Sequence, residues 1–204
     1  FNKKRIIQKT DSMNGSFLGP KYTNNQIKKT LDKLKIKYKF INTDKIFNKT
    51  IKLIIQGKTI GWFQGRMEFG PRALGHRSII GDPRSKRMQK IMNLKIKFRE
   101  SFRPFAPSIL EEDSKKWFNI SCESPYMLFV AQLNKSKRVN LKTGQKNLKG
   151  LRSLYVNRSV IPAVTHVDYS ARLQTVNKKC NTEFYKLIKK FKQLTRCPLL
   201  INTS

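Results

Sequence analysis

A dense run of glycines constrains this 204-residue chain more than any other feature. Five of the ten glycines fall between Gly61 and Gly81. Glycine at that density marks backbone that turns tightly or approaches a ligand closely, so the run reads as loop. Regular patterns flank it on both sides. Thr23 is placed to cap a helix in which Ile27, Leu31 and Leu34 recur at helical spacing, and residues 38–41 read as a short strand. Thr43 is placed to cap a second helix, with Ile46, Phe47, Ile51, Ile54 and Ile55 inward and Gly57 as its stop. Residues 59–63 then read as a buried strand.

Beyond the glycines, residues 85–94 predict a helix with Met88, Ile91 and Met92 on one face. Strands are expected over 105–110, 127–133, 160–165, 172–176 and 198–201, with a short helix over 113–118 and a turn near Asp168. The clearest helix has Asn181 as its cap and Phe184, Leu187, Ile188, Phe191 and Leu194 as its apolar stripe. Residues 134–152 are rich in Lys and Asn and read as a mobile loop. The alternation predicts an α/β-type (mixed α+β) domain, a sheet covered by helices, with no internal repeat.

Composition narrows the class. At 38% hydrophobic the chain has material for one sizeable core. It has no apolar run near the roughly 20 residues of a membrane span. The opening Phe1-Asn-Lys-Lys-Arg lacks an initiating Met and an apolar region, so no signal peptide is expected, and both chain ends read as cuts in something longer. Cys122, Cys180 and Cys197 are far apart, and with only His76 and His166 beside them no zinc spacing exists, so reduced thiols in the cytoplasm are expected.

The net charge is +32, but it is spread as +12 over residues 1–60, +8 over 61–110 and +12 over 111–204. A groove-binding protein concentrates such charge in a stripe. The even spread fits a Lys-, Asn- and Ile-rich codon bias plus small anionic ligands better than a nucleic-acid partner. Against that Lys background the choice of Arg is informative. Arg66, Arg72, Arg77, Arg84 and Arg87 crowd the glycine run, and Arg99 and Arg103 follow. A planar fork suits phosphate or carboxylate where a point charge would not, and glycine loops add exposed N–H groups. Glu68, Asp82 and Glu100 are spaced to orient those guanidiniums. The other reading of the same residues is a set of surface ion pairs. The run lacks the Gly-Lys-Ser/Thr ending of a P-loop.

A second constellation places His166, Asp168, Ser170, Arg172 and Gln174 at alternate positions. On extended chain these five share one face, as the wall of a polar pocket or as a solvated strand face. An ordinary His–Asp ion pair is equally compatible, and no Ser-His-Asp triad is assignable.

Four ordered segments then resemble the O-carbamoyltransferases that modify antibiotics and nodulation factors. They are Gly65-Arg-Met-Glu-Phe-Gly-Pro-Arg-Ala-Leu-Gly-His-Arg-Ser-Ile, Phe102-Arg-Pro-Phe-Ala-Pro-Ser, Thr165-His-Val-Asp…Ala-Arg-Leu-Gln-Thr-Val and Leu200-Ile-Asn-Thr-Ser. The resemblance implies a single YrdC-like C-terminal domain over 1–204, a twisted mixed sheet covered by helices. Residues 1–22 would be a linker from an N-terminal Kae1-like domain that is not in this chain. It further implies that carbamoyl phosphate and ATP, with Mg²⁺, give carbamoyladenylate, phosphate and pyrophosphate. The iron-holding Kae1-like domain then passes the carbamoyl group to a hydroxyl acceptor, a transfer this chain alone is not expected to complete.

Carried over by motif, Arg72, Lys97, Arg103 and Arg172 are the expected catalytic set, with no metal ligand. Arg72 and Arg103 would clamp carbamoyl phosphate, and Lys97 and Arg172 would neutralise the reacting phosphates. Arg66, Arg77, His166, Asp168, Ser170, Gln174, Asn202 and Ser204 are the expected substrate and ATP contacts. Freed carbamate decomposes in water, so closure is expected, with 134–152 as a candidate lid. His76 stands where the family often has Asn, and Tyr169-Ser170 where it often has Gly-Thr, which positions Tyr169 to narrow the pocket. The family continues past Asn-Thr-Ser, so further elements are expected to complete that pocket. The competing reading is a basic YrdC-like module that binds tRNA.

Overall fold

The structure, a computed structural model, describes residues 11–204. Of the expected linker, residues 1–10 lie outside the described residues. Residues 11–20 are strapped onto the glycine run. Ser16 Oγ donates to the Phe69 carbonyl, Gly19 N–H donates to Met67 O at 2.9 Å, and the Phe17 ring stacks on His76 at 3.7 Å.

Local signals placed several elements well. Helix α1 (Asn24–Lys33) opens on a capping box between Thr23 and Gln26, and α2 spans Thr43–Ile55. Strands β1 (Ile60–Phe63) and β2 (Arg77–Gly81) bracket the glycine loop. Then come α3 (Lys86–Lys95), capped by Ser85, and β3 (Ala106–Leu110). A short helix α4 (Ser114–Trp117) leads into β4 (Phe118–Asn119) and β5 (Val130–Leu133). The Lys- and Asn-rich stretch carries two single-turn helices, α5 (Thr143–Lys146) and the start of α6 (Leu151–Leu154). Strands β6 (Ser170–Arg172) and β7 (Gln174–Val176) precede α7 (Thr182–Thr195), which Asn181 caps, and β8 (Leu199–Thr203).

The main sheet has the order β1-β2-β8-β3-β7. Only β3 and β7 pair parallel; the other neighbours are antiparallel. A second, antiparallel sheet has the order β4-β5-β6. The domain is therefore mixed α+β, as the alternation predicts. The last strand lies at the centre of its sheet, between β2 and β3. Central placement explains its apolar start, Leu199, Leu200 and Ile201, all fully buried. Helix α7 packs on β3 and β8 and α2 packs on α7, while Met88 and Met92 of α3 meet the backbone of Gly81. Phe184, Leu187, Ile188 and Phe191 are fully buried in one continuous core with Ile51 and Ile54. Leu194, by contrast, is exposed, and Tyr185 takes a place on the buried face.

Three expected strands differ. Residues 38–41 join no strand and are largely exposed, with no strand partner to take their N–H and C=O groups. Residues 160–165 form a 3₁₀ turn over Pro162–Val164, since Pro162 lacks the N–H a ladder needs. The stretch 172–176 is two strands in two sheets. Conversely β2 lies inside the glycine run, where no strand was expected. Among the described residues no helix is long and apolar enough to cross a membrane.

The cysteines are free, as expected, and differ in reactivity. Burial pushes the Cys197 thiol up to about 12, whereas Cys122 and Cys180 are exposed. Alkylation of the native protein, read by peptide mass spectrometry, is expected to modify Cys122 while sparing Cys197 until the domain unfolds. Equal rates at the two sites would contradict this packing.

Candidate functional site

The loop between β1 and β2 folds back over one end of the main sheet and is gripped from both sides. The buried Glu68 carboxylate accepts the N–H groups of Leu74, His76 and Arg77 at 2.8, 2.7 and 3.0 Å. It therefore shapes the backbone, in place of orienting a guanidinium as its spacing among the arginines predicts. From the other side the Ala73 and Leu74 carbonyls accept hydrogen bonds from three buried amides. Asn202 Nδ2 reaches Ala73 O at 2.9 Å; Gln174 Nε2 and Asn181 Nδ2 reach Leu74 O at 2.9 and 3.1 Å. Ser108 Oγ ties Asn202 to Gln174 across β8, β3 and β7, donating to Gln174 Oε1 at 2.6 Å. Apart from Asn202 Oδ1 the side-chain amides of this network are paired, and a paired buried network holds one geometry.

What this grip fixes is Arg72. With Lys97, Arg99, Arg172, Asn202 and Ser204 it lines a hollow of about 210 Å³. Four cationic side chains line this space and, among the described residues, no Asp or Glu side chain does. Burial, and then the nearby Arg72 charge, pull the Arg172 guanidinium below its usual range. Guanidinium stays charged in proteins, so the repulsion is standing and a bound anion relieves it. The Nε groups of Arg72 and Arg172 and the Oδ1 of Asn202 are buried without partners. Lys97 Nζ donates to the main-chain O of Ser204. Arg99 is braced by Asn93 Oδ1 at 2.7 Å and by the Phe105 ring. Sequence reasoning counted Arg99 among the arginines but did not select it; the signal was there, an Arg two residues after Lys97 in a Lys-rich chain.

The hollow thus gathers Arg72, Lys97, Arg172, Asn202 and Ser204 from the expected set. The others lie elsewhere. Arg103 is exposed, stands 3.6 Å from Glu100, and lines a second hollow of about 340 Å³ together with His166. Pro104 lines both hollows. Arg66 is exposed and donates to Gly19 O at 3.1 Å. Arg77 donates to the carbonyls of Gln64, Gly65, His76 and Pro20 and stacks 3.4 Å from the Phe63 ring centroid, so its role is to fasten the strap. His166 and Asp168 form an exposed pair at 3.5 Å in a turn, where Asp168 Oδ1 accepts the Ser170 N–H.

The alternating five therefore share no face. The chain leaves one sheet for the other at the buried Leu173, whose N–H donates to Phe129 O at 3.2 Å. That switch sends Arg172 to the first hollow, Gln174 into the buried network and His166 to the second hollow. Tyr169 lines neither hollow. With φ at 65° its ring packs against the core, and the Arg138 guanidinium lies 4.5 Å from its centroid.

Fold and site together define a mixed α+β domain with a hollow lined by four cationic side chains. Residues 51–204 match the family described as the carbamoyltransferase C-terminus, and the chain belongs to that family. It is 49% identical over 98% of its length to the uncharacterized protein sll1178 of Synechocystis, covering 33% of that protein. It is 43% identical to the nodulation protein NolNO of Sinorhizobium fredii, over 79% of this chain and 21% of that one. It is 37% identical to the 3'-hydroxymethylcephem-O-carbamoyltransferase of Streptomyces clavuligerus, over 72% of this chain and 24% of the enzyme. The chain spans a third or less of the length of these relatives.

Proposed function

We propose that this chain is the donor-activating part of an O-carbamoyltransferase, binding carbamoyl phosphate and ATP and forming carbamoyladenylate. The observation that carries this reading is the hollow lined by Arg72, Lys97, Arg99 and Arg172 with no acid among them. Two phosphorylated substrates repel each other, and fixed cations in a partly buried site offset that repulsion. Water cleaves carbamoyl phosphate to phosphate and carbamate, and a carbamate oxygen attacks the α-phosphorus of ATP as pyrophosphate leaves. Arg72 and Arg172 present their forks to phosphate oxygens, and Lys97 and Arg99 neutralise the pyrophosphate as it departs.

Among the described residues no cluster of three or more His, Cys, Asp or Glu side chains is placed to hold a metal. Mg²⁺ brought with the nucleotide would therefore ride on phosphate oxygens and water. The carbamoyl group then passes to a hydroxyl of a small molecule or glycan, bound by the remainder of the protein. Carbamoyl transfer is the activity named for the Streptomyces clavuligerus relative.

A crystal of the complete protein soaked with carbamoyl phosphate, or with inorganic phosphate, tests the placement. Density bridging Arg72 and Arg172 is expected. A phosphate bound elsewhere, with this hollow holding only water at saturating ligand, would overturn it.

A further inference from the structure

The ring of His76 joins three parts of the chain, and both of its nitrogens face oxygen. The side chain is buried, in the loop that carries Arg72. Nδ1 lies 2.6 Å from the Arg66 carbonyl oxygen. A carbonyl only accepts, so the proton of the neutral imidazole sits on Nδ1. Nε2 lies 3.3 Å from Oδ1 of Asn181, the cap of α7. The orientation of that amide is fixed by its other bonds. Asn181 Nδ2 donates to Leu74 O, while Oδ1 accepts from Gln64 Nε2 at 2.9 Å and from the Phe184 N–H at 3.4 Å. The bare lone pair of Nε2 therefore meets an acceptor. The face of the ring is covered by Phe17 of the strap, stacked at 3.7 Å with 9° between the planes.

The charged groups that reach His76 are Glu68 and Arg77, both close to it in the chain and opposite in sign. The strap and α7 face it with the neutral Phe17 and Asn181. Burial outweighs the Arg66 hydrogen bond and the Glu68 charge, and holds the imidazole below its ordinary value of 6.5. A second proton, on Nε2, would bury a cation. It would also compete with Gln64 and Phe184 for Asn181 Oδ1, on the amide that holds the Leu74 carbonyl.

Resting on the reading that the four-cation hollow takes phosphates, we infer that neutral His76 is a positioning residue for that hollow. It holds the strap and the α7 cap on the loop that carries Arg72, and its protonation loosens that grip. The folded loop disfavours the charged ring, so the opened loop takes up the proton first as pH falls. The grip is complete above about 6.5, the value of the free side chain, and weakens progressively below it.

Calorimetric titration of the complete protein with pyrophosphate, at about pH 8 and about pH 5.5, tests this beside His76→Asn, whose amide donates a hydrogen bond but takes up no proton. The ratio of affinities between the two pH values should be at least about fivefold larger in the unmodified protein than in the variant. Protonation of pyrophosphate and of every other histidine is common to both. Amide hydrogen exchange of the unmodified protein, corrected for the intrinsic effect of pH, gives a readout independent of how the variant folds. Peptides covering residues 11–19 and 66–78 should lose protection together at the lower pH, while residues 187–191 of α7 keep theirs. Equal affinity ratios in the two proteins, or protection of the loop that is indifferent to pH, would make His76 a packing residue alone and overturn the inference. No pyrophosphate binding at either pH would overturn the reading of the hollow on which it rests, with the exchange result still reporting whether His76 grips the loop.

Discussion

Arg172→Ala in the complete protein is expected to lower carbamoyl-phosphate-dependent release of pyrophosphate from ATP at least about 100-fold, with the domain still folded. Arg172 reaches the hollow from the end of β6, at the point where the chain changes sheets, and its guanidinium already stands against Arg72. Removing it takes away a fixed charge aimed at where negative charge builds during adenylation. It also relieves the standing repulsion with Arg72, so stability is expected to hold or rise slightly. Arg172→Lys keeps the charge without the fork and should recover only part of the rate. A loss smaller than fivefold for the Ala variant, with normal unfolding, would make Arg172 a structural residue.

Gly75→Ala is expected to be the most damaging single-methyl change in the loop. Gly75 has φ of 103°, a conformation that costs an L-residue on the order of 1–3 kcal/mol. A Cβ there would lie 2.3 Å from Cδ1 of Phe184, a ring that is fully buried in the core and has no space to step aside. Overpacking of that kind adds roughly 1–3 kcal/mol more. A total near 3 kcal/mol lowers the midpoint of a domain this size by about 6–12 °C. Gly57→Ala is the control. Its φ of 80° carries similar strain, but nothing lies within 4 Å of the added carbon, so only the smaller cost is expected. Equal midpoints for the two variants would show that the contact with Phe184 is not tight.

The same contact shows which parts of the molecule were legible in the sequence. Caps and apolar stripes are local, so Thr23, Ser85 and Asn181 announce their helices and Phe184 to Phe191 announce the buried face of α7. Strand pairing is not local. Nothing near residues 38–41 reveals that no edge awaits them, and nothing near Leu199 reveals that β8 occupies the centre of the sheet. The strand expected over 172–176 is extended, but a single buried residue, Leu173, divides it between two sheets, and the alternating polar groups from His166 to Gln174 are scattered. Of the arginines that stand out against the Lys-rich background, Arg72 and Arg99 line the four-cation hollow, whereas Arg66, Arg77, Arg84, Arg87 and Arg103 do not. Glu68 was visible as an acid among them, yet its partners are main-chain N–H groups whose positions only the folded loop defines. Tyr169 illustrates the same limit. Its positive φ suits the glycine often found there in the family it resembles, and that conformation turns the ring to the core.

The central claim, that the four-cation hollow serves adenylation of a carbamoyl donor, is tested most directly by one assay. Pyrophosphate release from ATP by the complete protein is measured with Mg²⁺ present, with and without carbamoyl phosphate. Release that requires carbamoyl phosphate, and that falls at least about 100-fold in Arg172→Ala, is the predicted result. No release in its presence by the folded protein, or release equal in its absence, would contradict the claim.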